Sequence, residues 1–487
     1  MELDLEKVQW IFRGNIVVPT RNPFSAPREP ELDDERCRWI GPGLKLLIDH
    51  VLCVNEEGSI SELRPASLFA AGAIDSPRLV ELSKNEFLCP GMIDLHIHAA
   101  QYAYTGTATD RPLMGPNGWL ETYTFPAEQR LGSDPSLARQ VYEGVVRNTL
   151  LAGTTTAVYF ATLHLDPCKV LVDIALEEGQ RALVGKVCMD RHSPLNYTQT
   201  VEMNLKESEE LIEYIQMKSG QQTTSAKLPL VLPLITPRFI PTCSPALLTA
   251  LGKLAAERSC HVTSHISESV DEVAFSRQLD ASEGLDNGVG RTDAKIFDGH
   301  GLLTDKCVMA HGVFLSEDDL DLLQRRGSAV AHCPLSNFCF AGKSLHCRNI
   351  LQRGGPQVGL GTDVAGGYSP SMLHSSRMTV VASQSLQHQA IANNEDVDHV
   401  LDYRHGFYLD TLGGAKALKL DNRIGSLAVG KEFDAMILSA DVDSPIQLFD
   451  SDNVLDVFQK LCVLGDDRNI KAVYVQGRRV KDCNACC

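Results

Sequence analysis

The stretch PGMIDLHIHAA, residues 90–100, decides how the rest of the chain is read. It is an apolar run carrying two imidazoles, His96 and His98, two positions apart. Side chains at i and i+2 of a β-strand leave the same face. A strand here therefore aims both histidines at one place, near its C-terminal end. An isolated HxH pair is often no more than a packing accident. Its meaning depends on what other runs carry at the same end.

Seven further apolar runs follow: TTTAVYFATLH (154–164), RALVGKVCMD (181–190), LPLVLPLITPRF (228–239), CHVTSHISE (260–268), CVMAHG (307–312), SAVAHCP (328–334) and QVGLGTD (357–363). Between them lie stretches of helical period such as SLARQVYEGVVRNTLLAG (136–153) and EDDLDLLQRRG (317–327). Short apolar runs alternating with helices predict βα units and a parallel sheet. Eight of them predict an α/β chain folded as a closed (β/α)8 barrel.

The flanks read differently. WIFRGNIVV (10–18) and LLIDHVLCV (46–54) are strand-like, separated by a loop over 19–43 rich in proline and charge. After a helical DTLGGAKALKL (410–420), GSLAVGKEFDAMIL (425–438) and NIKAVYVQGRRVK (469–481) return to strands and turns. The expectation is a small β-rich domain built from 1–88 and 421–487, around a barrel over 89–420.

Composition narrows the function. A hydrophobic share of 44% over 487 residues supports a large core, and the net charge of −17 repels phosphate backbones and anionic lipid. No nucleic-acid or membrane partner is expected. The N-terminus MELDLEKVQW lacks the basic and apolar regions of a signal peptide, and the 15 cysteines sit mostly in apolar segments. Both features suggest a reducing, cytosolic setting. The terminal CNACC holds a lone CxxC, too few ligands for a structural zinc site, and is read as a frayed tail.

The run ends carry the chemistry. His265 closes the fifth run, His311 the sixth and Asp363 the eighth. These ends form the mouth of such a barrel, where active sites sit. Neutral imidazoles with one carboxylate suit Zn²⁺, and iron or manganese less specifically. Glu268 lies three residues past His265, within reach of a metal-bound water and suited to move protons. Asp363 can ligate and accept a proton as well. His164, His332 and Cys333 are read as packing or supporting residues.

These residues bring a family into view. PGMIDLHIH, HISE, MAHG, HCPLSN and GLGTDVAGG resemble the amidohydrolase superfamily, in its deaminase branch. HIHAAQYAYTG, YTFPAE, GTTTAVYFAT, GKVCMD, TPRF, SHISE, GTDVAGGYS, GKEFDA and LGDDRNI are similar to members of that branch acting on guanine. The resemblance runs from about residue 9 to 480 and implies a metal-dependent barrel beside a β-sandwich formed by both termini. It implies hydrolysis of guanine to xanthine and ammonia, one zinc per subunit, and a homodimer.

Residue by residue, the resemblance assigns the zinc ligands to His96, His98, His265 and Asp363. Glu268 becomes the proton shuttle, and His311 helps hold the water or intermediate. Gln101, Arg238 and Phe239 bind the purine, with His98, Ala99, Ala100, His265, Glu268 and Asp363 around it. Arg238 is a fixed cation able to hold a ring carbonyl, Gln101 offers a donor and an acceptor, and Phe239 an apolar face. Residues 338–357 and Leu335 depart from the family pattern, without touching the proposed ligands.

Rival readings stand beside this one. A two-metal cyclic amidase needs a lysine at the end of the fourth run, which ends ITPRF instead. A deaminase of another purine or pyrimidine base or nucleoside would share the metal set. The unrelated zinc deaminase fold requires PCxxC, which this chain lacks. A binding or scaffold relative would be expected to have lost ligands.

Overall fold

A computed structural model of the protein describes residues 7–24, 37–41, 43–70, 72–74, 76–107, 110–220, 227–284 and 289–482. The C-terminal cysteine motif and much of the 19–43 loop lie outside these residues.

Eight parallel strands form one sheet in sequence order. They are β1 (Met92–His98), β2 (Thr154–Phe160), β3 (Arg181–Cys188), β4 (Val231–Pro237), β5 (His261–Ile266), β6 (Cys307–His311), β7 (Ala329–His332) and β8 (Gln357–Leu360). Each coincides with one of the apolar runs. Residues 92–98 are buried at every position, as a strand covered on both faces must be. The ends of the sheet meet just past β8, where the Asp363 N–H donates to the His96 carbonyl (2.8 Å) and the His98 N–H to the Val364 carbonyl (3.0 Å). Helices interleave with the strands. The helix Glu317–Arg326 starts at a capping box on Ser316 and stops at Gly327, whose φ of 74° suits a glycine.

The termini build a second sheet of nine strands. Its main path runs Arg478–Asp482, Ile470–Val475, Ala435–Ser439, Glu86–Pro90, Val8–Pro19, Leu44–Asn55 and Cys37–Gly41. The two ends of the chain interlock where Glu86–Pro90 pairs antiparallel with Ala435–Ser439. Phe12, Leu52, Leu88, Phe433 and Tyr474 form a core of this unit. Arg181, fully buried at the start of β3, joins the two sheets through Asp434 (2.8 Å) and Glu432 (2.7 Å).

The 410–420 stretch packs against the seam between β1 and β8. A Cβ on Gly414 would lie 2.9 Å from Ile93 Cβ, so only glycine permits this approach.

Candidate active site

His96 and His98 lie in the last three residues of β1, His265 lies in β5 and His311 ends β6; Asp363 follows β8. The fold brings all five together at the C-terminal mouth of the barrel. His96 Nε2 lies 3.2 Å and His98 Nε2 3.5 Å from Asp363 Oδ1. His98 Nε2 and His265 Nε2 face each other at 3.0 Å. His311 Nε2 lies 3.7 Å from Glu268 Oε2 and 3.8 Å from Asp363 Oδ2. His311 and Asp363 hold positive φ angles of 72° and 50°, a backbone region that non-glycine residues enter at a cost.

The surrounding contacts fix each ring. His265 Nδ1 lies 2.6 Å from the Arg238 carbonyl, so Nδ1 carries the hydrogen and Nε2 presents a lone pair to the centre. His311 Nδ1 lies 3.0 Å from Asn337 Oδ1, whose amide nitrogen lies 3.4 Å from His332 Nδ1. That leaves His311 Nε2 as a lone pair too. Asp94 accepts from Thr362 N–H (3.0 Å), Thr362 Oγ1 (2.5 Å) and His96 N–H (3.1 Å), bracing β1 against the end of β8.

The donor set tests whether a metal fits. His96 Nδ1 and Nε2, His98 Nδ1 and His311 Nε2 are buried without a hydrogen-bond partner, an arrangement that a protein interior rarely tolerates. His96, His98 and His265 bring one nitrogen each within 4.8 Å of one another, and so do the donor atoms of His96, His311 and Asp363. Burial lowers the pKa of all four imidazoles and keeps them neutral, the form that ligates. Burial alone would raise Asp363, but the imidazoles of His96, His311 and His98 around it hold it below the ordinary carboxylate range. These residues can hold a divalent metal.

Beside this cluster lies a narrow slot, with about 30 Å³ open to the centre of a water molecule. His98, Gln101, Arg238, Phe239, His265, Glu268 and Asp363 line it. Burial, then the Asp363 charge, pushes Glu268 well above the ordinary carboxylate range. Ala99 and Ala100 do not line the slot; they are buried in the apolar cluster around Tyr142 and Phe160. The segment 338–357, read from the sequence as standing apart from the ligands, puts Phe340 in the slot wall, 5.1 Å from the Trp119 ring.

Glu128 is the residue that sequence reasoning missed. It is fully buried and accepts from Arg238 Nη1 (2.8 Å), Arg238 Nη2 (3.2 Å), Gln101 Nε2 (3.0 Å) and Tyr197 OH (2.6 Å). One carboxylate thus orients both Arg238 and Gln101 in the slot wall. It belongs to the YTFPAE motif, but nothing in the spacing marks its target. Asp94 was missed as well, although it alternates with His96 and His98 on one strand face. His164 lies 3.3 Å from Thr162 Oγ1 and packs on Tyr197, in keeping with the packing role read from the sequence.

Comparison with known proteins adds the family. The amidohydrolase family model matches residues 87–480. Human guanine deaminase is 42% identical over 452 residues, covering 91% of this chain and 94% of its own length. The Escherichia coli guanine deaminase is 34% identical, covering 82% and 84%. The crystal structure of guanine deaminase from C. acetobutylicum with bound guanine superposes with a TM-score of 0.80 at 28% identity, over 97% of this chain and 100% of that one. Matched nearly end to end in sequence and in fold, the chain belongs to the amidohydrolase family and, within it, groups with the guanine deaminases.

Proposed function

We propose that this chain hydrolyses guanine to xanthine and ammonia with one zinc ion per subunit. The observation that carries the reading is the meeting, in one slot, of the His/Asp cluster with the Arg238–Glu128–Gln101 array. That array can read a purine edge. Guanine has a carbonyl at C6 and the departing amine at C2. Arg238 spends one N–H of each terminal nitrogen on Glu128 and keeps its remaining N–H groups for a ring carbonyl. Gln101 gives one amide hydrogen to Glu128 and retains a second. Phe239 offers an apolar face to the planar ring.

His96, His98, His265 and Asp363 would hold the zinc. When bound, zinc supplies Lewis acidity that makes a water nucleophilic at neutral pH. Asp363 takes a proton from the attacking water. Glu268, its pKa raised by burial, delivers a proton to ring nitrogen N3 so that the ring accepts electrons as C2 is attacked. Asp363 then returns its proton to the amine, which leaves as ammonia, while Glu268, now a carboxylate, takes the proton of the new hydroxyl at C2 as the carbonyl forms. His311, with its Nδ1 hydrogen committed to Asn337, offers Nε2 as an acceptor that orients the water. The slot is narrow, so purine entry requires the Trp119–Phe340 rim to part.

A homodimer and a cytosolic location belong to the same reading. Both rest on the family resemblance. The location also draws on the cysteines, which form no disulfide among the described residues.

The test is substrate discrimination. Arg238→Lys keeps a cation beside Glu128 but loses the fork. Its kcat/KM for guanine should fall by about tenfold or more, relative to a 2-aminopurine lacking the 6-carbonyl. Equal losses on both compounds would contradict recognition of guanine through that carbonyl.

A further inference from the structure

The carboxyl of Glu268 lines the slot and approaches His311 Nε2 at 3.7 Å, but among the described residues it makes no hydrogen bond of its own. A side chain without an anchor is placed by its main chain. Here the main chain is the turn between β5 and the helix Val270–Ser282. It begins at Ser267, whose φ of 48° is a backbone region that a non-glycine residue enters at a cost. Something must hold the turn in that shape.

Two buried carboxyl groups do so. Asp293, the first residue of the helix Asp293–Gly299, accepts from the Ser267 N–H (2.9 Å) and from Ser267 Oγ (2.8 Å). Glu272, in the first turn of the helix Val270–Ser282, accepts from the Glu268 N–H at 2.6 Å. The Ser267 carbonyl accepts from the Phe314 N–H (3.0 Å). The helix Glu317–Arg326 gives the contrast. There Asp319, three residues past the N-cap, closes a capping box on the N–H of Ser316 itself (3.1 Å). Glu272 stands three residues past its own N-cap, Ser269, yet its 2.6 Å bond goes one residue further back, to Glu268.

We infer that Glu272 is a positioning residue for proton transfer: its bond to the Glu268 main chain aims the Glu268 carboxyl at His311 and the slot. The inference rests on the reading of Glu268 as the proton carrier. Burial, then the Asp293 charge, pushes Glu272 well above the ordinary carboxylate range. As a neutral acid it presents a carbonyl oxygen to the Glu268 N–H, and a glutamine can present the same. Alanine removes the acceptor altogether.

The experiment measures kcat and KM for guanine in Glu272→Ala, Glu272→Gln and Glu268→Gln beside the wild type, with bound metal counted on each sample. Glu272→Ala should lose about tenfold or more in kcat while KM stays within about threefold, because the proton carrier is misplaced and the Arg238–Gln101 array is not. Glu272→Gln should restore kcat to within about threefold of the wild type. An unchanged kcat in Glu272→Ala would overturn the inference, and so would equal losses in the alanine and glutamine variants. Should Glu272→Ala fail to fold, Glu272→Met fills the space without an acceptor and carries the same expectation. Glu268→Gln separates the two readings. Full turnover in that variant would remove Glu268 as the carrier and Glu272 with it. A slow Glu268→Gln beside an unimpaired Glu272→Ala would remove Glu272 alone.

Discussion

Glu128 sets how Arg238 and Gln101 face the slot, and its charge neutralises a guanidinium that would otherwise be buried alone. Glu128→Gln keeps the shape but loses the charge-assisted bonds. We expect kcat/KM for guanine to fall about tenfold to hundredfold with the catalytic metal retained, measured by steady-state kinetics beside metal analysis. Unchanged kinetics would remove its positioning role. Glu268→Gln acts on a different step. It should leave the metal bound and cut turnover about 100- to 10,000-fold, because a glutamine cannot carry a proton. At this scale the sequence was most legible where chemistry and period coincide. His96 and His98 announced themselves by alternation, and His265, His311 and Asp363 by standing at the ends of apolar runs. Glu128, Asn337 and Phe340 were silent because their partners lie far off in the chain and no local pattern encodes them.

The strands were readable as elements because a parallel barrel strand is buried on both faces and so is apolar throughout. The helix Glu317–Arg326 is bounded by local chemistry too, by Ser316 at its start and Gly327 past its end. Pairing partners were less legible. Arg181 looks like an ordinary strand-start charge, yet it is fully buried between Glu432 and Asp434 and ties β3 to the terminal sheet. Arg181→Ala leaves the buried Asp434 without its cation, while Glu432 keeps Arg423, and should cost about 3–5 kcal/mol in denaturant unfolding, if the joint melts with the barrel. Asp410, in the turn Leu409–Gly413, presents the opposite case. Both its carboxylate oxygens are buried without a partner, and burial pushes its pKa well above the usual range. Folding therefore keeps this carboxyl protonated, at a cost that grows as the pH rises from the ordinary carboxylate range toward the raised value. Asp410→Ala should stabilise the protein by about 1–3 kcal/mol at neutral pH and by less near pH 4, followed as thermal midpoints across that range. A gain independent of pH would mean that the carboxyl is not held neutral.

Across the whole molecule, the barrel gathers the His/Asp cluster and Glu268 at its mouth while the two ends of the chain close a second sheet beside it. Among the described residues, no helix is long and apolar enough to cross a membrane. The barrel was legible because each βα unit repeats the same local signal. The register between Glu86–Pro90 and Ala435–Ser439 was not, because strands from opposite ends of the sequence leave no mark of their pairing. The central claim is that the mouth of this barrel is a single-zinc site for guanine. The measurement that tests it most directly is ammonia release by the purified protein from guanine, adenine, adenosine, cytosine and dihydrouracil, with metal counted on the same sample. Turnover of guanine above the other compounds, with about one zinc per chain, is the predicted result. A zinc-loaded protein that leaves guanine untouched and releases ammonia from another of them would contradict the reading of Arg238, Glu128 and Gln101.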